Sequence, residues 1–129
     1  MQTDARPILL VEDDRFLRRA CEASLRQAGF TVISVADGLE AVRAARKHVP
    51  ALVLLDVLMP KLTGLEVLRV LKADPALTSI PVLVLSNSSR PQDVAEIMAL
   101  GAVDYLVKAD LSLRQLTERV TVLMDGGAR

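Results

Sequence analysis

Apolar runs of four or five residues recur near residues 8, 31, 51, 80 and 103, and amphipathic stretches separate them. The runs, Ile8-Leu9-Leu10-Val11 and Leu52-Val53-Leu54-Leu55 among them, are too short for helices and lack polar alternation, as expected of strands covered on both faces. The stretches between them carry apolar residues at helical spacing. In the first, Leu17, Ala20, Cys21, Leu25 and Ala28 fall on one stripe, Asp14 is placed to cap the start, and Gly29 to stop the end. Leu39, Val42 and Ala45 mark a second helix that Pro50 prevents from continuing, and Leu65, Leu68 and Leu71 mark a third after Gly64. A fourth opens on Pro91, where a missing N–H costs nothing, and closes at Gly101. The fifth carries Leu113, Leu116, Val120 and Leu123 behind a Ser112 cap. A strand followed by a helix, repeated five times, predicts an α/β fold with right-handed crossovers and a parallel sheet flanked by helices on both faces.

A chain of 129 residues fits one domain, spanning 1–129 with a core from about 7 to 124. Sixteen basic and sixteen acidic residues cancel, so no broad field recommends direct contact with nucleic acid or an anionic membrane. The apolar runs fall far short of the roughly 20 residues that span a bilayer, and Met1-Gln2-Thr3-Asp4-Ala5-Arg6 lacks the apolar core of a signal peptide, which predicts a cytoplasmic protein. Cys21 is the only cysteine and cannot form an internal disulfide. Its place on the helical stripe predicts a buried structural thiol.

The polar residues that end the strands change the picture most. The first strand runs into Glu12 and Asp13, the third into Asp56, the fourth into Ser86 and the fifth into Lys108. In an open α/β sheet the carboxyl ends of parallel strands are where ligands bind. In the flavodoxin-like strand order 2-1-3-4-5, Glu12, Asp13 and Asp56 converge at the switch point. Three carboxylates within a few ångströms repel by several kcal/mol at an intermediate dielectric, so either a cation binds there or their pKa values rise. All-oxygen ligation favours Mg²⁺, with Mn²⁺ as a substitute. Lys108 is a compact point charge suited to phosphate, and the Ser86 hydroxyl can donate to a phosphoryl oxygen.

In this order and spacing, Val11-Glu12-Asp13-Asp14, Asp56-Val57-Leu58-Met59-Pro60 with Gly64, Leu85-Ser86, and Gly101-Ala102-Val103-Asp104-Tyr105-Leu106-Val107-Lys108 resemble the receiver domain of two-component response regulators, from Ile8 to about Met124. The resemblance implies that Asp56 accepts a phosphoryl group from a sensor histidine kinase or a histidine phosphotransfer protein. It implies Mg²⁺ ligation by Asp13, Asp56 and the backbone carbonyl of Leu58, with Glu12 acting through a bound water. Lys108 then pairs with phosphoryl oxygens, Ser86 is the switch hydroxyl, and Tyr105 is the aromatic switch that alters the face made by the fourth helix, fifth strand and fifth helix. A downstream protein target or effector domain reads that face, and a phosphorylation-dependent dimer is a further output the resemblance allows.

The chain departs from the pattern in three places. Many receivers follow the lysine with proline across a cis bond, whereas Ala109 stands here, and a cis bond before alanine costs about 3–4 kcal/mol; a trans bond and a rebuilt loop are expected. Asn87 replaces a smaller residue beside the switch serine. Leu58 and Ser88 occupy the positions that tune how water reaches the acyl phosphate. His48, the only histidine, reads as a surface residue at a turn. Two alternatives remain. One is a receiver-like interaction module that no longer accepts phosphate. The other is a Mg²⁺-dependent phosphatase, which would need a general acid two residues after the nucleophile, where Leu58 stands. The expectation is a switch and not an enzyme.

Overall fold

The computed structural model describes residues 6–57 and 62–126. Five strands and five helices alternate: β1 (Ile8–Val11), α1 (Arg15–Gln27), β2 (Val32–Val35), α2 (Gly38–His48), β3 (Leu52–Asp56), α3 (Gly64–Ala73), β4 (Val82–Ser86), α4 (Pro91–Ala99), β5 (Asp104–Val107) and α5 (Leu113–Gly126). The strands form one parallel sheet in the order β2-β1-β3-β4-β5, the order that places the three carboxylates at the switch point.

Because successive strand residues face opposite sides, the unbroken apolar runs feed two cores. Leu9, Val11, Val53, Leu55, Val82 and Val84 pack against α2, α3 and α4. Ile8, Leu10, Leu52, Leu54, Leu83 and Leu85 pack against α1 and α5, where Cys21, Leu25, Leu116 and Val120 complete the layer. Cys21 is buried, and burial pushes its thiol up to about 11, with the Glu12 charge adding to the rise. It stays protonated at neutral pH and packs as a small apolar residue.

The helix ends follow local chemistry. Asp14 caps α1 by accepting the Leu17 N–H at 3.0 Å. Thr63 and Glu66 close a capping box on α3, and Ser112 and Gln115 make the same reciprocal pair at the start of α5. Gly29 and Gly101 take φ of 101° and 107° just past α1 and α4, the left-handed geometry that glycine adopts without strain. At the end of α2 that geometry falls on Val49, with φ of 42°, ahead of Pro50.

Two apolar residues counted with buried elements are exposed, Leu39 within α2 and Val103 just before β5. Leu39 is 45% exposed, because the buried stripe of α2 runs through Ala41, Val42 and Ala45. Val103 is 43% exposed and precedes β5, an edge strand that is only half buried. Among the described residues no helix is long and apolar enough to cross a membrane.

Candidate functional site

Strand register sets the site. Val11 pairs with Leu55, so Glu12 follows its strand level with Asp56. Asp56 pairs with Leu85, and Ser86 pairs with Val107, so Ser86 and Lys108 close the same edge from the far side. One oxygen each of Glu12, Asp13 and Asp56 lies within 4.8 Å of the others. Glu12 is 1% exposed and Asp56 4%, whereas Asp13 faces solvent.

Lys108 Nζ lies 2.9 Å from Glu12 Oε1 and 3.1 Å from Asp56 Oδ1. The first contact is ionic without good hydrogen-bond direction, leaving Glu12 Oε1 a buried acceptor without a well-aligned donor. Glu12 Oε2 accepts the Asp14 N–H at 3.1 Å, which folds the β1–α1 turn over the carboxylate. Three acids facing one ammonium, with one acceptor lacking a directed donor, fit a hard divalent cation with oxygen ligands. Leu58, whose carbonyl is the fourth expected ligand, lies outside the described residues.

Electrostatics follow from this crowding. Burial, and then the Glu12 charge, push the Asp56 carboxyl up to about 7 from 3.8, against the pull of Lys108. Burial disfavours the Lys108 ammonium, but Glu12 and Asp56 outweigh it and raise its pKa above the ordinary lysine value. The Lys108–Ala109 bond is trans, since no cis bond occurs among the described residues. Lys108–Asp110 form a short 3-10 turn that leads toward α5.

Beside β4 the switch residues form a connected group. Ser86 Oγ accepts the Ser88 N–H at 3.1 Å, and the half-buried Tyr105 donates its hydroxyl to the Ser88 carbonyl at 2.7 Å. The Ser88 hydroxyl donates to the Asp93 carboxylate and so points toward α4. Arg90 donates to the same carboxylate through Nε and Nη2, at 3.0 and 3.1 Å. The Arg90 guanidinium and the Ser88 hydroxyl hold the Asp93 carboxyl below the usual carboxylate range. A cavity of about 420 Å³ lies between this loop, Leu65 of α3 and Ile97 of α4.

Two contributors escaped the sequence reading. Arg18 on α1 donates to the Glu12 and Asp13 carbonyls at 2.9 and 3.4 Å and holds the acid-bearing turn from below; an arginine one turn past the Asp14 cap was the available signal. Gly38, the first residue of α2, lies so close to the β3–α3 loop that a Cβ would stand 2.0 Å from the Leu62 carbonyl oxygen. No local pattern reports such a contact, because α2 and that loop are distant in sequence.

Comparison with known proteins agrees with the fold. The family profile for the response regulator receiver domain matches residues 8–121. The chain is similar to the transcriptional regulatory protein PrrA of Mycobacterium tuberculosis, at 38% identity over 117 residues that cover 91% of this chain and 49% of PrrA. Among solved structures, it is similar to the signal receiver domain of a signal transduction histidine kinase from Syntrophus aciditrophicus, at 35% identity and a TM-score of 0.85, covering 95% of this chain and 92% of that one. It is also similar to the Mn²⁺-bound form of the response regulator Rcp1, at 33% identity and a TM-score of 0.77, covering 92% and 91%. The chain spans about half, or less, of the length of the curated relatives it matches.

Proposed function

This chain belongs to the response regulator receiver domain family, and on that premise we propose that Asp56 is its phosphoacceptor, charged in the cytoplasm by a sensor histidine kinase or histidine phosphotransfer protein. The observation that carries the reading is the buried Asp56 carboxylate, 3.1 Å from Lys108 and grouped with Glu12 and Asp13. A carboxylate oxygen of Asp56 attacks the phosphorus of a phosphohistidine. The P–O bond forms as the P–N bond breaks, and the imidazole leaves with the electron pair. Lys108 balances charge on the phosphoryl oxygens, and the Ser86 hydroxyl donates to one of them.

Glu12, Asp13 and Asp56 are the described residues that would hold Mg²⁺, with Mn²⁺ as a substitute. When bound, that ion supplies positive charge that shields the incoming phosphoryl oxygens from the acids. The protein is then a self-modified switch with no external substrate to turn over. Phosphorylation replaces the Asp56 carboxylate by a phosphoryl group that carries about −1.5 to −2 charge and three strong acceptors. A hydrogen bond from Ser86 to that group contributes about 1.5–3 kcal/mol, enough to shift a two-state equilibrium by one to two orders of magnitude. Tyr105 and the α4–β5–α5 face, read by a downstream protein or effector domain, are the output.

Incubation with a small acyl phosphate and Mg²⁺, followed by intact mass, tests the assignment. One phosphoryl adduct is expected in the parent and none in Asp56→Asn; an unmodified parent, or an adduct that survives in Asp56→Asn, overturns it.

The phosphodonor protein is placed at the mouth beside Asp13. There Phe16, in the first turn of α1, is 87% exposed and flanked by the exposed Arg15 and Arg19. Phe16→Ala is expected to slow transfer from a phosphohistidine protein by about tenfold, the loss of one buried aromatic contact, while uptake from the small acyl phosphate is unchanged. Equal slowing with both donors would refute that placement.

A further inference from the structure

Every polar group of Ser88 is bonded to a different part of the switch region. Its N–H reaches Ser86 Oγ at the end of β4, and its carbonyl accepts the Tyr105 hydroxyl from β5. Its hydroxyl donates to Asp93, the third residue of α4, and accepts the Arg90 N–H at 3.2 Å. Arg90 caps α4 with no side-chain hydrogen bond of its own to the helix backbone. The Ser88–Asp93 bond, buttressed by the Arg90 guanidinium, therefore ties the β4–α4 loop to the first turn of α4.

We propose that Ser88 is the positioning residue that passes a displacement of the Ser86 hydroxyl to α4, with Asp93 as its receiver; this rests on the phosphoacceptor reading of Asp56. At 3.1 Å the Ser86–Ser88 bond has little slack, and a hydroxyl that moves by about an ångström either drags the Ser88 peptide or releases it. Ser88 cannot move alone. Its carbonyl carries the Tyr105 hydroxyl and its side chain carries the Asp93 carboxylate, so one peptide shift reaches β5 and α4 together. A direct steric path from Ser86 to Tyr105 would move the ring and leave α4 passive. The two routes are therefore separable by experiment.

The test compares amide chemical shifts of ¹⁵N-labelled protein before and after phosphorylation by a small acyl phosphate and Mg²⁺, with the adduct counted by intact mass. Asp93→Ala is expected to take up the phosphoryl group to the same extent as the parent. Ser88→Ala, whose position tunes water access to the acyl phosphate, is compared at a matched adduct fraction, and both are expected to keep the shift change at Ser86. The changes along Val94–Ala99 should fall by about threefold or more, as loss of a charge-assisted hydrogen bond requires. Ser88→Thr, which keeps the hydroxyl, should restore them. Undiminished α4 changes in Ser88→Ala overturn the proposal; if that variant does not fold, the same result in Asp93→Ala does so. A parent with no adduct defeats the phosphoacceptor reading itself, an outcome seen before any variant is compared.

Discussion

With divalent cations chelated, the protein is expected to lose stability as pH rises from about 5 to about 8, and Asp56→Asn to remove most of that loss. The Asp56 carboxyl titrates at about 7 in the fold against 3.8 ordinarily, because it is buried and faces Glu12. Between those values the folded protein holds a proton that the unfolded chain has released, so stability falls as pH rises, by at most about 1.4 kcal/mol per unit. The contribution is unaffected below the ordinary value and fully lost above the folded one. Lys108 adds no slope in this window. Its pKa is raised, so its contribution is complete below the ordinary lysine value of 10.5 and declines only above it. Asparagine cannot ionise and should be more stable than the parent at pH 8 by a few kcal/mol, the two converging only as pH falls to about 4. Urea midpoints of both proteins in chelator at four pH values decide the matter, and parallel slopes would refute it. Adding Mg²⁺ should recover the parent at pH 8 by about 2.7 kcal/mol at one hundred times its dissociation constant, with less recovery in Asp56→Asn.

Gly64→Ala is expected to impair phosphoryl uptake far more than an equally destabilising change elsewhere. A Cβ at Gly64 would stand 2.2 Å from the Asp56 carbonyl oxygen and 2.6 Å from Val57 Cα. Both neighbours are backbone, so relief must come from moving the residue that carries the carboxylate, not from turning a side chain. The Gly64 N–H also donates to the Val57 carbonyl at 2.9 Å, which draws the start of α3 against the end of β3. Overpacking of this kind costs about 1–3 kcal/mol. Gly29→Ala is the matched control: its φ is 101° but nothing lies within 4 Å of the added carbon. Its strain of about 1 kcal/mol is local to the end of α1. Both variants should show lowered urea midpoints, while adduct formation with the small acyl phosphate slows at least tenfold in Gly64→Ala and is unchanged in Gly29→Ala. Equal rates in the two would show that Gly64 does no more than shape a turn.

Much of the architecture was legible in the chain because its causes are local. Unbroken apolar runs such as Leu52 to Leu55 mark strands covered on both sides, and Asp14, Gly29, Pro91 and Gly101 mark helix ends by their own backbone chemistry. Where the local pattern is ambiguous, burial and strand ends do not follow from it. Leu39 counted toward the stripe of α2 although helical spacing alone cannot say which neighbouring apolar residue meets the sheet, and Val103 joined β5 although strand edges carry no sharp signal.

The sequence by itself determined five strand–helix units and the strand-end positions of Glu12, Asp13, Asp56, Ser86 and Lys108, because periodicity and strand termination depend on near neighbours. Only the tertiary structure decided what those residues do to one another. The 2.9 and 3.1 Å contacts of Lys108, the rise of the Asp56 pKa, the approach of Gly38 to Leu62, the Arg18 hold on the acid-bearing turn and the convergence of Ser86, Tyr105 and Asp93 on Ser88 all join segments that are separate along the chain or set apart by turns. Such contacts depend on distance and burial, which arise when the sheet register brings the segments together, and a linear pattern of residues does not encode them directly.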